Sequence, residues 1–235
     1  MVVVGFDTAT GDTAVCASRD GAVLHESSLG VSADGRPRHS AALLVEVERA
    51  IAAAGGWDQV DLIATGLGPG SFTGVRIAIA TARGLAQSTG LPAVGACTLD
   101  AIARALGERG SGSGELLAVL DARRGEVFAA LYSATGDRLW EPLVASPADL
   151  AARVGELPSP PLAAGSGALR FRQELAGRGV EIPDDADPVH RVAARHICAL
   201  AAAGKVEAAG PLSPIYLRPP DAVRWRERDT VQTAE

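Results

Sequence analysis

The chain has 235 residues, of which 47% are of the types AVILMFWYC and 21% are charged, with a formal net charge of −6 at pH 7. A chain of this length and apolar content buries a substantial core without disulfide or metal staples, and it is neither disordered nor collagen-like. The acid excess argues against a stand-alone nucleic-acid binder, which carries a basic footprint, so any role on RNA requires a partner that supplies the cations.

Aromatic residues make up 4%, so the core is built from Ala, Val, Leu and Ile. Val2 to Phe6 is a short β-branched run, read as a buried strand that enters the turn Asp7-Thr8-Ala9-Thr10-Gly11-Asp12. Thr13 to Ser18 and Ala22 to Ser28 follow as strands around the hairpin turn Arg19-Asp20-Gly21. Residues 30–38 read as loop, and Ser40 to Ala54 as a helix stopped by Gly55-Gly56. Val60 to Thr65 is a strand that runs into GPGSFTG at 68–74, and Val75 to Thr89 is a second helix, ended by Gly90 and Pro92. Ala93 to Cys97 reads as strand and Leu99 to Leu106 as helix. After the Gly/Ser-rich stretch 107–114, strands are expected at Leu116 to Leu120, at Glu126 to Tyr132 and near Arg138 to Val144. A helix at Pro147 to Val154, a strand at Leu162 to Ala164 and a helix at Leu169 to Arg178 come next. A longer helix, Pro188 to Ala203, is expected behind Asp187 as its N-cap, and the polar tail is expected to be loosely held.

VVVGFDTATGDTAVCAS near the start and LLAVLDARRGEVFAALY after the linker share a pattern. Asp7 matches Asp121 and Gly11 matches Gly125 at one offset, and LIATGLG at 62–68 matches LAAGSG at 162–167. Ordered matches on either side of a linker point to a duplicated βββαβα lobe, the actin-like, ribonuclease-H-like (ASKHA) α/β class. The expected units are an N-terminal lobe 1–106, a linker 107–114, a C-terminal lobe 115–220 and a tail 221–235. The turn after the first strand of each lobe then faces a cleft, where backbone N–H groups and an acidic side chain can bracket a phosphate chain. Asp7 and Asp121 either pair across that cleft or cap their own turns.

In GPGSFTG, glycines and a proline allow tight turns, Ser71 or Thr73 is placed to cap the helix, and a helix start behind a Gly-rich loop is an anion site in principle. It is not a P-loop, and a capped strand-to-helix turn is the plain alternative. The helix behind it carries only Arg76 and Arg83 as charges, and the one before it only Glu46, Glu48 and Arg49. Helices apolar on most faces are covered on most faces. Little chain remains to cover both, so a partner interface is expected, with Ala80 and Gly84 allowing close helix approach; a self-contained core is the alternative. His39 is followed four residues on by Leu43, so the i, i+4 histidine pair of a metal site is missing. His190 and His196 fall on different faces of their helix and read as solvated or locally bonded. No Gly-x-Ser-x-Gly elbow and no catalytic Cys/His pair is visible. Cys16, Cys97 and Cys198 are far apart and read as buried free thiols in a reducing compartment. MVVVGFD is not a signal peptide, and no apolar run reaches the ~18 residues of a membrane span, so the cytoplasm is the expected location.

FDTATGDTAVC, RHSAALL at 38–44, GPGSFTGVRIAIATARGLA at 68–86, TLDAIA at 98–103, DARRGEVFAALY at 121–132 and PIYLRPPDA at 214–222 together resemble the bacterial TsaB (YeaZ) family. The resemblance implies an actin-like protein that is not itself the catalyst of threonylcarbamoyladenosine synthesis in transfer RNA. It implies a heterodimer with a TsaD-like transferase, which carries the metal-binding histidine pair, and engagement by a TsaE-like ATPase. Transfer RNA is met only through the complex; ATP and a metal belong to the partner proteins, and the isolated chain holds neither. Alone, the chain is expected to form a homodimer through the same helices. The implied interface comprises His39, Leu43, Leu44, Val47 and Ile51 on the first helix, with Arg76, Ile77, Ala80, Arg83 and Gly84 on the second. Asp7, Thr8, Thr10, Gly11, Ser71, Thr73 and Asp121 are expected in the cleft as a vestigial nucleotide site. Ala9-Thr10 stands where the family commonly has a richer run of hydroxyls, which weakens nucleotide binding. A small ATPase or kinase using this cleft is the alternative, with a peptidase behind it.

Overall fold

A computed structural model describes residues 1–110, 114–207 and 211–218; linker positions 111–113, the end of the PIYLRPPDA motif and the tail 221–235 lie outside the described residues. Strands β1 (Val2–Asp7), β2 (Thr13–Arg19) and β3 (Ala22–Leu29) pair antiparallel in succession. Asp20 and Gly21 have φ of 50° and 85°, the left-handed pair that a two-residue hairpin needs. Strands β4 (Leu62–Gly66) and β5 (Ala93–Ala96) join in parallel, giving the order β3-β2-β1-β4-β5. The second half repeats this with β6 (Leu116–Arg123), β7 (Glu126–Tyr132), β8 (Leu143–Ala145) and β9 (Leu162–Ala164) in the order β8-β7-β6-β9. Gly11 and Gly125 both lie in the hairpin between the first two strands of their sheets. The fold is therefore the duplicated actin-like one.

Helices α1 (His39–Ala54) and α2 (Phe72–Thr89) cover the outer face of the first sheet, in one core with Phe6, Val15, Ile63 and Val75. On the second sheet, α4 (Pro147–Val154), α5 (Ser166–Arg170) and α6 (Arg172–Ala176) do the same around Leu117, Leu131 and Leu150. The inner faces share one core with α3 (Thr98–Glu108) and α7 (Ala194–Ala202). Here the halves exchange helices. Helix α3 leaves the first sheet and packs on β6, β7 and β9, whereas α7 packs on β1, β2, β4 and β5. A Cβ on Gly5 of β1 would stand 2.6 Å from Cys198 Sγ, so the missing side chain is what lets α7 lie this close. All three cysteines are free and buried.

Three expected elements differ. The helix expected from Pro188 is a 3₁₀ turn, Pro188–His190, whose Val189 N–H donates to Asp187 Oδ1 at 3.0 Å. Arg191 then turns extended and its Nε meets Asp12 Oδ2 at 2.8 Å, so the α-helix begins only at Ala194. The helix expected over 169–178 breaks at Phe171 (φ −113°, ψ 34°), which packs against the outer core of the second sheet. The strand expected near Arg138 to Val144 is interrupted: Arg138 makes a single antiparallel bridge to Tyr132, and β8 begins only at Leu143. The Arg138 guanidinium points inward, with Nε 2.9 Å from Asp100 Oδ1 and Nη2 2.7 Å from Asp100 Oδ2.

The Gly5 contact is testable by urea denaturation. Gly5→Ala should lower the unfolding free energy by about 1–3 kcal/mol, the usual cost of overpacking. Adding Cys198→Ala removes the colliding sulfur and should recover part of that loss.

Candidate functional site

Asp7 closes β1. Its Oδ1 accepts from Ala9 N at 2.6 Å, its Oδ2 accepts from Thr98 Oγ1 at 2.7 Å, and the residue is 1% exposed. At the matching place, Asp121 Oδ1 accepts from Arg123 N at 2.8 Å and its Oδ2 meets Arg170 Nη1 at 2.7 Å. Each aspartate thus caps its own turn two residues on. Burial raises the Asp7 carboxyl above its ordinary value, against the pull of the Thr98 and Ala9 hydrogen bonds.

The Gly-rich loop lies backbone-down on this first turn. A Cβ at Gly66, Gly70 or Gly74 would collide with the Asp7 carboxylate, the Ala9 carbonyl or the Thr8 carbonyl respectively. Ser71 N donates to Ala9 O at 2.6 Å, and Thr8 Oγ1 donates to Gly74 O at 2.7 Å. Ser71 is the residue that caps α2, its Oγ accepting from Gly74 N at 3.3 Å. Both oxygens of Asp7 are thus engaged within the chain. Asp7 and Thr8, expected in the cleft, are sealed beneath the loop instead.

Thr10, Gly11, Ser71, Thr73 and Asp121 do line open space. A cavity of about 930 Å³ includes Ser71, Thr73 and Asp121, and one of about 440 Å³ includes Thr10, Gly11, Ser71 and Asp121. Arg123 borders both. It is held with Arg124 and Gly125 at φ of 62°, 55° and 76°. Phe72, Tyr216 and Arg218, which sequence reasoning did not single out, line the larger cavity. Each belongs to a motif noted above, GPGSFTG or PIYLRPPDA, and that was their only signal.

The two outer helices divide the expected interface residues. His39, Leu43, Val47 and Ile51 recur every four residues and are all buried. They are the inward stripe of α1: Leu43, Val47 and Ile51 pack in the core on their own sheet, and His39 also borders the larger cavity. Its outward side carries Leu44, 60% exposed, and Val45. On α2 the inward stripe is Val75, Ala78, Ile79 and Ala82; Arg76, Ala80, Arg83 and Gly84 are exposed and Ile77 is half-buried. Beyond the neighbouring residues and the backbone of its own helix, no described heavy atom lies within 4 Å of where a Gly84 Cβ would stand.

His39, His190 and His196 are buried. His39 Nδ1 lies 2.9 Å from Thr13 Oγ1, its Nε2 has no hydrogen-bond partner, and burial lowers its pKa. His190 is locally bonded, Nδ1 accepting from Gly165 N at 3.2 Å and Nε2 lying 3.2 Å from Pro183 O. His196 is buried without a hydrogen-bond partner and is pushed down to about 4, by burial and by Arg195 and Arg104. Among the described residues, Cys97, Asp100 and Glu207 bring three possible metal-ligand atoms within 4.8 Å of one another. The cation there is Arg138, which meets Asp100 and, at 2.5 Å, Glu207, while burial keeps Cys97 a thiol. No helix among the described residues is long and apolar enough to cross a membrane.

A family model described as TsaD, tRNA N6-adenosine threonylcarbamoyltransferase, matches residues 32–183. The tRNA threonylcarbamoyladenosine biosynthesis protein TsaB of Escherichia coli is 31% identical, over 97% of this chain and 98% of its own. An uncharacterized protein of Mycobacterium tuberculosis is 35% identical over 94% of this chain and 93% of its own. Among solved structures, YeaZ from Pseudomonas aeruginosa superposes with a TM-score of 0.72 at 27% identity, covering 92% of this chain and 99% of that one.

The sealing of Asp7 predicts a pH effect. The native carboxyl holds its proton above the value of 3.8 expected for a free carboxyl. The native state therefore binds more protons than the unfolded state as pH rises past that point, and stability falls with rising pH until the native carboxyl itself ionises. Asp7→Asn keeps the acceptor for Ala9 N and removes the titration. In urea unfolding from about pH 4 upward, the variant should gain on the parent as pH rises. A constant difference would show a carboxyl open to solvent.

Proposed function

The chain belongs to the TsaB (YeaZ) family, and we propose that it is the non-catalytic subunit of the complex that makes threonylcarbamoyladenosine in transfer RNA. It binds a TsaD-type transferase through the outward side of the α1–α2 pair, within the N-terminal unit 1–106. An ATPase of the TsaE type and transfer RNA engage the assembled complex in the cytoplasm, and the free chain pairs with itself through the same face. The name of the Escherichia coli relative supports the process. The filled first turn supports a role other than nucleotide chemistry.

Gly84 carries the assignment of the surface. A glycine inside a helix costs about 1 kcal/mol relative to alanine, and no described atom of the chain comes near enough to require it. Together with exposed Ala80 one turn earlier, it opens a shallow track into which another helix can settle at the short end of helix–helix spacing.

Two variants test this. Ala80→Arg should fold, as judged by circular dichroism, yet lose at least about tenfold in affinity for the transferase, as expected for a buried unpaired charge. Reconstituted transfer RNA modification should fall with it; a folded Ala80→Arg that supports full modification would overturn the proposal. Gly84→Ala should stabilise the chain by about 1 kcal/mol in urea unfolding at a dilution where self-pairing is lost, while weakening the complex, a pairing of effects that a purely structural glycine does not give.

A further inference from the structure

Helix α2 contains Arg76 and Arg83 and no acidic residue, in a chain of net charge −6. Both arginines are exposed, on the side that also exposes Ala80 and Gly84. Seven residues at 1.5 Å each set them about 10 Å apart along the helix. Each guanidinium is held by groups that leave its charge uncompensated. Arg76 lies 3.7 Å from the Phe72 ring centroid, and its Nε donates to the Tyr216 hydroxyl at 2.8 Å. Arg83 donates to the Leu212 carbonyl. Carboxylates pair Arg138, Arg191 and Arg218 elsewhere, but among the described residues no such pair forms at Arg76 or Arg83. Phe72 and Tyr216 stack at 5.3 Å and are the two exposed aromatic side chains among the described residues.

We infer that the surface docking on α2 is a helix bearing two carboxylates about two turns apart, one for Arg76 and one for Arg83, with its backbone close over Ala80 and Gly84. This rests on the proposed function and gives the chemistry of the partner's contact. The arginines are pre-positioned, so little side-chain freedom is lost on docking. Phe72 and Tyr216 become covered and exclude water from the Arg76 pair, the setting in which a charged contact counts most. An RNA backbone is the other polyanion two guanidinium groups attract, but the small-residue track between them matches a helix and offers a phosphate chain neither donors nor charge.

The test titrates the full chain with the TsaD-type transferase from the same cell, at low and high salt. Arg76→Glu and Arg83→Glu should each weaken binding about tenfold or more, and the double variant about a hundredfold. Arg76→Gln with Arg83→Gln keeps donors for the Tyr216 hydroxyl and the Leu212 carbonyl and removes only charge. It should bind more weakly than the parent and with a flatter salt dependence. Replacing the facing carboxylates of the transferase by lysine should restore binding to the double Glu variant. Parental affinity in the folded double Glu variant overturns the inference. So does a variant that keeps the transferase but loses affinity for a transfer RNA anticodon stem-loop. If Ala80→Arg abolishes binding and the arginine variants do not, the docking face stands without the carboxylates. If the parent chain itself does not bind the transferase, the proposed function falls as well.

Discussion

Helices α3 and α7 lie side by side in one layer between the two sheets, each supplied by one half of the chain and packed on the sheet of the other. Small residues on the inner faces leave room for the helices, Gly5, Ala14, Ala64 and Ala96 on the first sheet and Ala118, Ala130 and Ala164 on the second, while Leu116, Leu120, Phe128 and Tyr132 of the second sheet pack around them. Leu99, Ile102, Leu106 and Ile197 fill the space between and are fully buried, each worth about 1.5–3 kcal/mol in area removed from water. Neither sheet can cover its inner face without the helix that the other half provides. At one end of the layer, Arg138 ties Asp100 of α3 to Glu207 beyond α7, and the Tyr132 hydroxyl donates to Asp100 Oδ1 at 2.7 Å. That network joins α3, β7 and the segment after α7 across the two halves.

The interlocked layer decides what remains for function. The inner faces are spent on cohesion, and the first turn is filled by the loop at 68–74. Space persists on either side of Ser71 and Arg123, and an exposed face persists on α1 and α2. The strap 211–218 links these. Ile215 N donates to Leu67 O at 2.8 Å, Tyr216 reaches Arg76, and Arg218 pairs with Glu126 at 2.5 Å while bonding the Ala122 carbonyl. One short segment thus runs from the first sheet past the start of α2 to the β6–β7 hairpin. The position of Arg76 therefore depends on both halves of the chain.

The burial of the first turn has a similarly plain origin. The residue types at 7–11 are compatible with holding phosphate, and the matching aspartate at 121 is partly open. The difference lies in what sits on top. Gly70 and Gly74 allow the loop backbone to descend onto the first turn, Gly66 at the end of β4 leaves room for the Asp7 side chain, and Thr98 at the start of α3 takes the second oxygen of Asp7. The loop at 68–74 is what covers Asp7 and Thr8.

The repeated order of elements along the two halves, the hairpins and the helix stops were legible in the sequence, because the signals that mark them are local. An aspartate bonds the amide two residues on at both Asp7 and Asp121, and left-handed Gly55 and Gly90 end α1 and α2 at φ of 95° and 75°. The inward side of α1 was not legible. Its apolar residues run nearly all round, so periodicity does not distinguish Leu43 and Val47 from Leu44 and Val45, and only the sheet beneath makes the choice. Nor could a window of neighbours show that Asp12 draws Arg191 out of a helix from 179 residues away, that Asp100 turns Arg138 inward, or that Asp7 is sealed. Residue type and spacing determined which elements form, through contacts a few residues long. Which faces are buried and which charges stay unpaired was decided by contacts between distant parts of the chain, where packing sets the dielectric and the space around each group.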